Sequence, residues 1–250
     1  MKMRLTIHAT AATTMALILG ATACSKPSDA HAAMQRHSVV LAAAFPAPTQ
    51  FSYLDLFPFR DLRGALAWEA AYRNGGHAPW HLSADLTALA FTQGFLHFGG
   101  INAIASRHIR GTDAAIGVGF RNPDGRISTA AILHLRKLGT GPDAPWEVVG
   151  SNDTDLTITR PGYGDHVAAR FTAGGAITGV DESLHLWVRG LSSDRPLGEM
   201  CCVGAGGNRQ PWTAVVRFRS GPDRVLTVIV ATGGHVATVE RFAITAVRTG

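Results

Sequence analysis

Cysteine, charge and catalytic signatures are all scarce in this chain. Three cysteines among 250 residues exclude the disulfide-dense scaffolds of small secreted proteins. Charged residues make up 16%, too few for a disordered polyelectrolyte. The basic ones are isolated rather than clustered, which argues against a nucleic-acid partner. No apolar run reaches the roughly 20 residues that a membrane-spanning helix requires. No HExxH, GxSxG, CxxC or phosphate-loop pattern occurs, so no catalytic residue, metal ligand or cofactor is assigned.

The most specific feature that is present lies at the start. Lys2 and Arg4 form a short basic head, residues 9–20 are mostly apolar, and Ala21, Thr22 and Ala23 precede Cys24. This reads as a secretory signal over residues 1–23. The run Leu19, Gly20, Ala21, Thr22, Ala23, Cys24 resembles the lipobox of bacterial lipoproteins. That resemblance implies a lipidated Cys24, membrane attachment through the lipid, and an extracytoplasmic location. Removal of residues 1–23 takes away two cations and no acid, lowering the formal charge from +5 to +3. A content of 46% hydrophobic residues with 28 glycines suits β-rich structure with tight turns.

Residues 24–56 read as a tether, because Pro27, Pro46 and Pro48 favour extended backbone and no sustained period joins them. Residues 57–150 read as a small α+β domain. Asp61 is a suitable N-cap, Leu62, Ala65, Leu66 and Glu69 follow at helical spacing, and Asn74, Gly75 and Gly76 supply a stop. A second helix is expected over 83–98, apolar around much of its circumference. Period-two runs then predict strands at 101–109, 116–120, 127–135 and 146–149. Two helices covering an antiparallel sheet would follow. That layout is similar to the cone-shaped domains of the nuclear transport factor 2 type.

From Leu156 onward the pattern is all β. About seven short alternating runs are separated by glycine-rich breaks at 161–164, 174–175, 204–208, 221–223 and 233–234, the signature of an immunoglobulin-like sandwich over residues 155–248. Leu156, Thr157, Ile158, Thr159 and Pro161, with Gly164, Val167, Phe171, Gly175, Ile177 and the 212–218 run, resemble the immunoglobulin-like Gmad2 domain of bacterial spore germination proteins. The resemblance implies a C-terminal sandwich on an exported, lipid-anchored protein. Thr232, Gly233, Gly234 and His235 stand where that family carries an acidic, serine-rich stretch.

Few side chains suggest chemistry. His77 and His81 flank Trp80 at an i, i+4 spacing, but Pro79 between them disfavours the helix that would align them as metal ligands. Cys201 and Cys202 are adjacent, so they point to opposite faces of a strand or close a vicinal disulfide, with a redox or metal role as the third alternative. Asn152, Asp153 and Asp155, with Asp181 and Glu182, offer oxygen ligands but too few guaranteed neighbours for calcium. Arg189, Arg195 and Arg209, near the polar loops 181–183 and 204–211, are candidate contacts for an anionic envelope component or envelope protein. The expected function is that of a non-enzymatic, lipid-anchored envelope protein with a binding or docking domain. The alternative is a small-molecule pocket or enzyme in the α+β domain, with His97, His108 or His134 as acid or base.

Overall fold

Period-two patterning dominates the chain, and strands dominate the structure. The computed structural model describes residues 52–250, apart from the side chains at 180–182. The leader, Cys24, most of the tether, and the Asp181 and Glu182 side chains therefore lie outside the described residues.

Local signals set the helices. In α1 (Leu62–Arg73) the Asp61 carboxylate caps the start by accepting from Gly64 N at 2.8 Å. Gly75, at φ +84°, takes the left-handed turn after Asn74, and Gly76 N donates back to Ala71 O at 2.8 Å. Only Ala65 and Glu69 of α1 are buried, while Leu62 and Leu66 face solvent. In α2 (Ala84–Leu89) Ser83 Oγ accepts from Leu86 N. The regular helix stops after six residues and continues as a wide turn over Ala90–Phe95.

Four strands follow as an antiparallel meander: β1 (Ala103–Arg110), β2 (Asp113–Arg121), β3 (Ile127–Lys137) and β4 (Trp146–Ser151), adjacent in that order. A second sheet contains β5 (His166–Val167), β6 (Arg170–Gly190), β7 (Gly198–Arg217), β8 (Val225–Thr232) and β9 (Arg241–Thr249). Its spatial order is β5-β9-β8-β6-β7, with only the β5–β9 pair parallel.

These elements correct the expected fold class. Strands hold 48% of the described residues and helices 14%. The two short helices do not make an α+β layer over the first sheet, and the second half is not an immunoglobulin-like sandwich of short strands. The error has a physical source in the glycines. Gly174 and Gly175 read as a break, yet they pair with Thr213 and Trp212 inside the long β6–β7 hairpin. A Cβ at Gly175 would collide with the Thr157 carbonyl. The glycine thus admits a crossing segment, whose Thr157 N and Thr159 N donate to Ala176 O and Gly174 O at 2.9 Å. Register shifts at 177–179, 179–182 and 184–185 mark irregular pairing along the hairpin without ending it.

Burial explains why β8 is apolar on both faces. Val228 and Val230 join Ala173, Ile177, Leu184, Leu186 and Val188 in one core cluster. The alternate residues Ile229 and Ala231, with Phe242 and Ile244 of β9, join Phe91, Ile101, Ile116 and Leu133 in a second. Both sheets thereby contribute to a shared core. Ser151 Oγ adds a polar tie, donating to Ile244 O at 3.1 Å and accepting from Ile244 N at 2.9 Å. The described residues all fall within one compact unit.

Candidate functional site

The second half of β6 uses both of its faces. Leu184, Leu186 and Val188 point into the core. Alternation therefore sends His185, Trp187 and Arg189 to the other face, where they line a cleft of about 690 Å³. β8 extends this floor, with Ala231 opposite His185 and Ile229 opposite Trp187. The facing wall is residues 96–100, delivered by the wide turn that ends α2. Part of the loop between β8 and β9 completes the lining.

Aromatic contacts shape the interior. The His185 ring stacks on Trp187 at 4.0 Å between centroids. Phe98 meets Trp187 edge-on at 5.7 Å and Phe242 at 5.4 Å. His185 Nε2 lies 2.7 Å from Glu199 Oε1, an ion-pair distance at which its N–H is not aimed along a hydrogen bond. The β8–β9 loop is held by Glu240, whose Oε1 accepts from the backbone amides of His235, Val236 and Ala237. Partial burial alone would raise this carboxyl, but those amides and the nearby His235 together hold it below the ordinary glutamate value.

Arg189 is the charged group of the cleft. It is 5% exposed. Its Nη2 donates to Asp194 O at 3.0 Å and lies 3.4 Å from His97 Nε2, and its guanidinium sits 5.0 Å above the Phe95 ring. Its Nε is buried without a partner. Burial pulls the guanidinium below its ordinary value, and the charge of Asp194 partly offsets this. His97 reaches it from a left-handed backbone conformation, φ 62°, that a non-glycine side chain adopts at a cost.

The other sequence-derived candidates are dispersed. Arg195 is exposed in the 191–197 turn, and Arg209 is exposed on β7 at φ 49°, its amide donating to Thr178 Oγ1. Neither lines the cleft. Cys201 and Cys202 are joined as a disulfide at the cleft edge. His108 is exposed on β1, and His134 on β3 approaches Asp113 at 3.4 Å. Of the three histidines considered as acid or base, only His97 reaches the cleft. Asn152, Asp153 and Asp155 are exposed between β4 and β5. His81 is buried edge-on against Phe59, and burial pushes its imidazole down to about 4. His77 instead offers its carbonyl to Trp68 Nε1. No group of three His, Cys, Asp or Glu side chains suited to a metal ion gathers among the described residues.

A second polar site escaped the sequence reading. Glu147 on β4 is fully buried. Its Oε2 accepts from Phe59 N at 3.1 Å and its Oε1 has no partner. Burial pushes this carboxyl well above its ordinary value, with the charge of Asp55 adding to the shift. Asp55 is itself pushed up to about 6, by burial and then by Asp61. Both carboxyls line a hollow of about 290 Å³ beside Arg136 and Lys137.

No family model matches the chain, and neither do curated proteins or solved structures.

Proposed function

We propose that the chain is a lipid-anchored, non-enzymatic cell-envelope protein that holds a small, largely apolar molecule in the cleft between β6 and residues 96–100. The anchor rests on the lipobox-like run ending at Cys24. The binding role rests on one observation: an aromatic and aliphatic cleft of about 690 Å³, floored by Trp187, Ile229 and Ala231 and faced by Phe98. This volume is within the ordinary range for small-molecule pockets, which are mostly apolar with a few fixed polar groups.

The test uses the soluble form lacking residues 1–24, titrated with the neutral fluorophore N-phenyl-1-naphthylamine. The expected result is saturable binding at one site, lost in Trp187→Ala while the circular dichroism spectrum is retained. Absence of saturation, or binding indifferent to Trp187→Ala, contradicts the reading.

A further inference from the structure

We infer that the molecule held in the cleft carries a small oxyanion, seated on Arg189, at one end of an apolar body. The inference rests on the reading of the cleft as a small-molecule site and specifies which class of molecule fits it.

The charge of Arg189 is incompletely balanced. A guanidinium has five N–H donors and stays protonated in proteins. Burying it is costly unless a counter-charge or a full set of acceptors replaces water. Arg189 has neither. None of the ion pairs among the described residues includes it. Its hydrogen bond is to one backbone carbonyl, the His97 imidazole lies 3.4 Å from its Nη2, and its Nε is orphaned. Arg189 lines the cleft, and an oxyanion accepting from its guanidinium there would complete the counter-charge through short, charge-assisted bonds.

The surroundings limit what that anion is attached to. Trp187, Phe98 and Ile229 line the same cleft, so the atoms next to the head group lie against apolar surface. A polyanion or an extended sugar phosphate would leave its own polar groups unsatisfied there. A carboxylate, sulfonate or phosphate ester on an aromatic or aliphatic body satisfies both halves of the site. His97 sets the position of the guanidinium rather than binding the anion itself. An arginine N–H can only donate, so Nε2 of His97 is the acceptor in this pair. The left-handed backbone at His97 is the cost of bringing the imidazole to this point.

Two fluorophores that differ by one sulfonate isolate the claim: 8-anilino-1-naphthalenesulfonate and N-phenyl-1-naphthylamine, each titrated into the protein lacking residues 1–24. The sulfonate is expected to bind about tenfold tighter, as one charge-assisted contact allows. In Arg189→Met the ratio of the two affinities, measured on the same protein, is expected to fall to about one. Arg189→Lys, which keeps the charge but removes the fork, is expected to retain part of the advantage, and it carries the test if Arg189→Met fails to fold. Equal affinities in the parent protein, or a sulfonate advantage that survives Arg189→Met or is unchanged in Arg189→Lys, overturn the inference. Failure of both probes to bind overturns the cleft reading itself, so the two failures are distinguishable.

Discussion

Arg189 Nη2 and His97 Nε2 lie 3.4 Å apart although 92 positions separate them in the chain. The contact joins the floor of the cleft, on β6, to its facing wall. Both groups occupy costly states: Arg189 is buried outside any ion pair, and His97 holds a left-handed backbone. Such costs persist where the surrounding structure or a ligand repays them.

The backbone at His97 predicts an unusual order of stabilities. His97→Ala retains the left-handed strain, whereas His97→Gly relieves it. The glycine variant is expected to be more stable than the alanine variant by about 1 kcal/mol in urea unfolding. In an ordinary conformation alanine would be the more stable of the two, so that order contradicts the geometry described.

Glu147 predicts a pH dependence with a definite sign. Its folded carboxyl is raised above the ordinary value of 4.5, so the folded state holds the proton more tightly than the unfolded chain does. The stability linked to this group is complete below that ordinary value and is lost as pH rises toward and through the folded value. Glu147→Gln keeps an acceptor for Phe59 N without the ionisation. Its stability relative to the parent is expected to grow as pH increases from 4.5 upward. Parallel stability curves across that range contradict the assignment.

The shared core predicts cooperative unfolding. Phe242 on β9 is 1% exposed and packs against Phe98 within the cluster that joins the two sheets. Phe242→Ala is expected to cost about 3–5 kcal/mol. Trp146 reports on the first sheet and Trp212 on the second, and their signals are expected to shift together in a single transition. Separate transitions would show that the sheets unfold independently.

Cys24 predicts the cellular location. Cys24→Ala is expected to abolish lipoprotein processing in a producing bacterium and to remove the protein from the detergent-soluble membrane fraction. Unchanged fractionation of that variant contradicts the anchor.

Local chemistry made part of the fold legible. Asp61 and the Asn74, Gly75, Gly76 stop bound α1 as its sequence implies. The alternating runs at 116–120 and 127–135 are the centres of β2 and β3. The expected 83–98 helix is regular only over Ala84–Leu89 and goes on as a wide turn over Ala90–Phe95. Gly174 and Gly175 misled because a glycine serves equally for a turn and for close backbone approach, and only the paired segments decide which. The site was less legible still. Arg189 stood out as a cation, but as a surface contact beside Arg195 and Arg209 rather than a buried group. Trp187 and His185, which line the cleft with it, were present in the 184–189 alternation. Two apolar-compatible faces look alike there until burial assigns one to the core and the other to the cleft. Glu147 gave no local signal, since its environment comes from Phe59 and Asp55, remote in sequence.

The central claim is that the cleft holds the ligand, and amide chemical-shift mapping of the protein lacking residues 1–24 tests it most directly. On titration with N-phenyl-1-naphthylamine, the account predicts saturating shifts concentrated at residues 96–100, 185–189 and 229–233, with α1 and β1 unaffected. Shifts centred on the exposed Leu62 and Leu66 face of α1, or scattered without saturation, would contradict it.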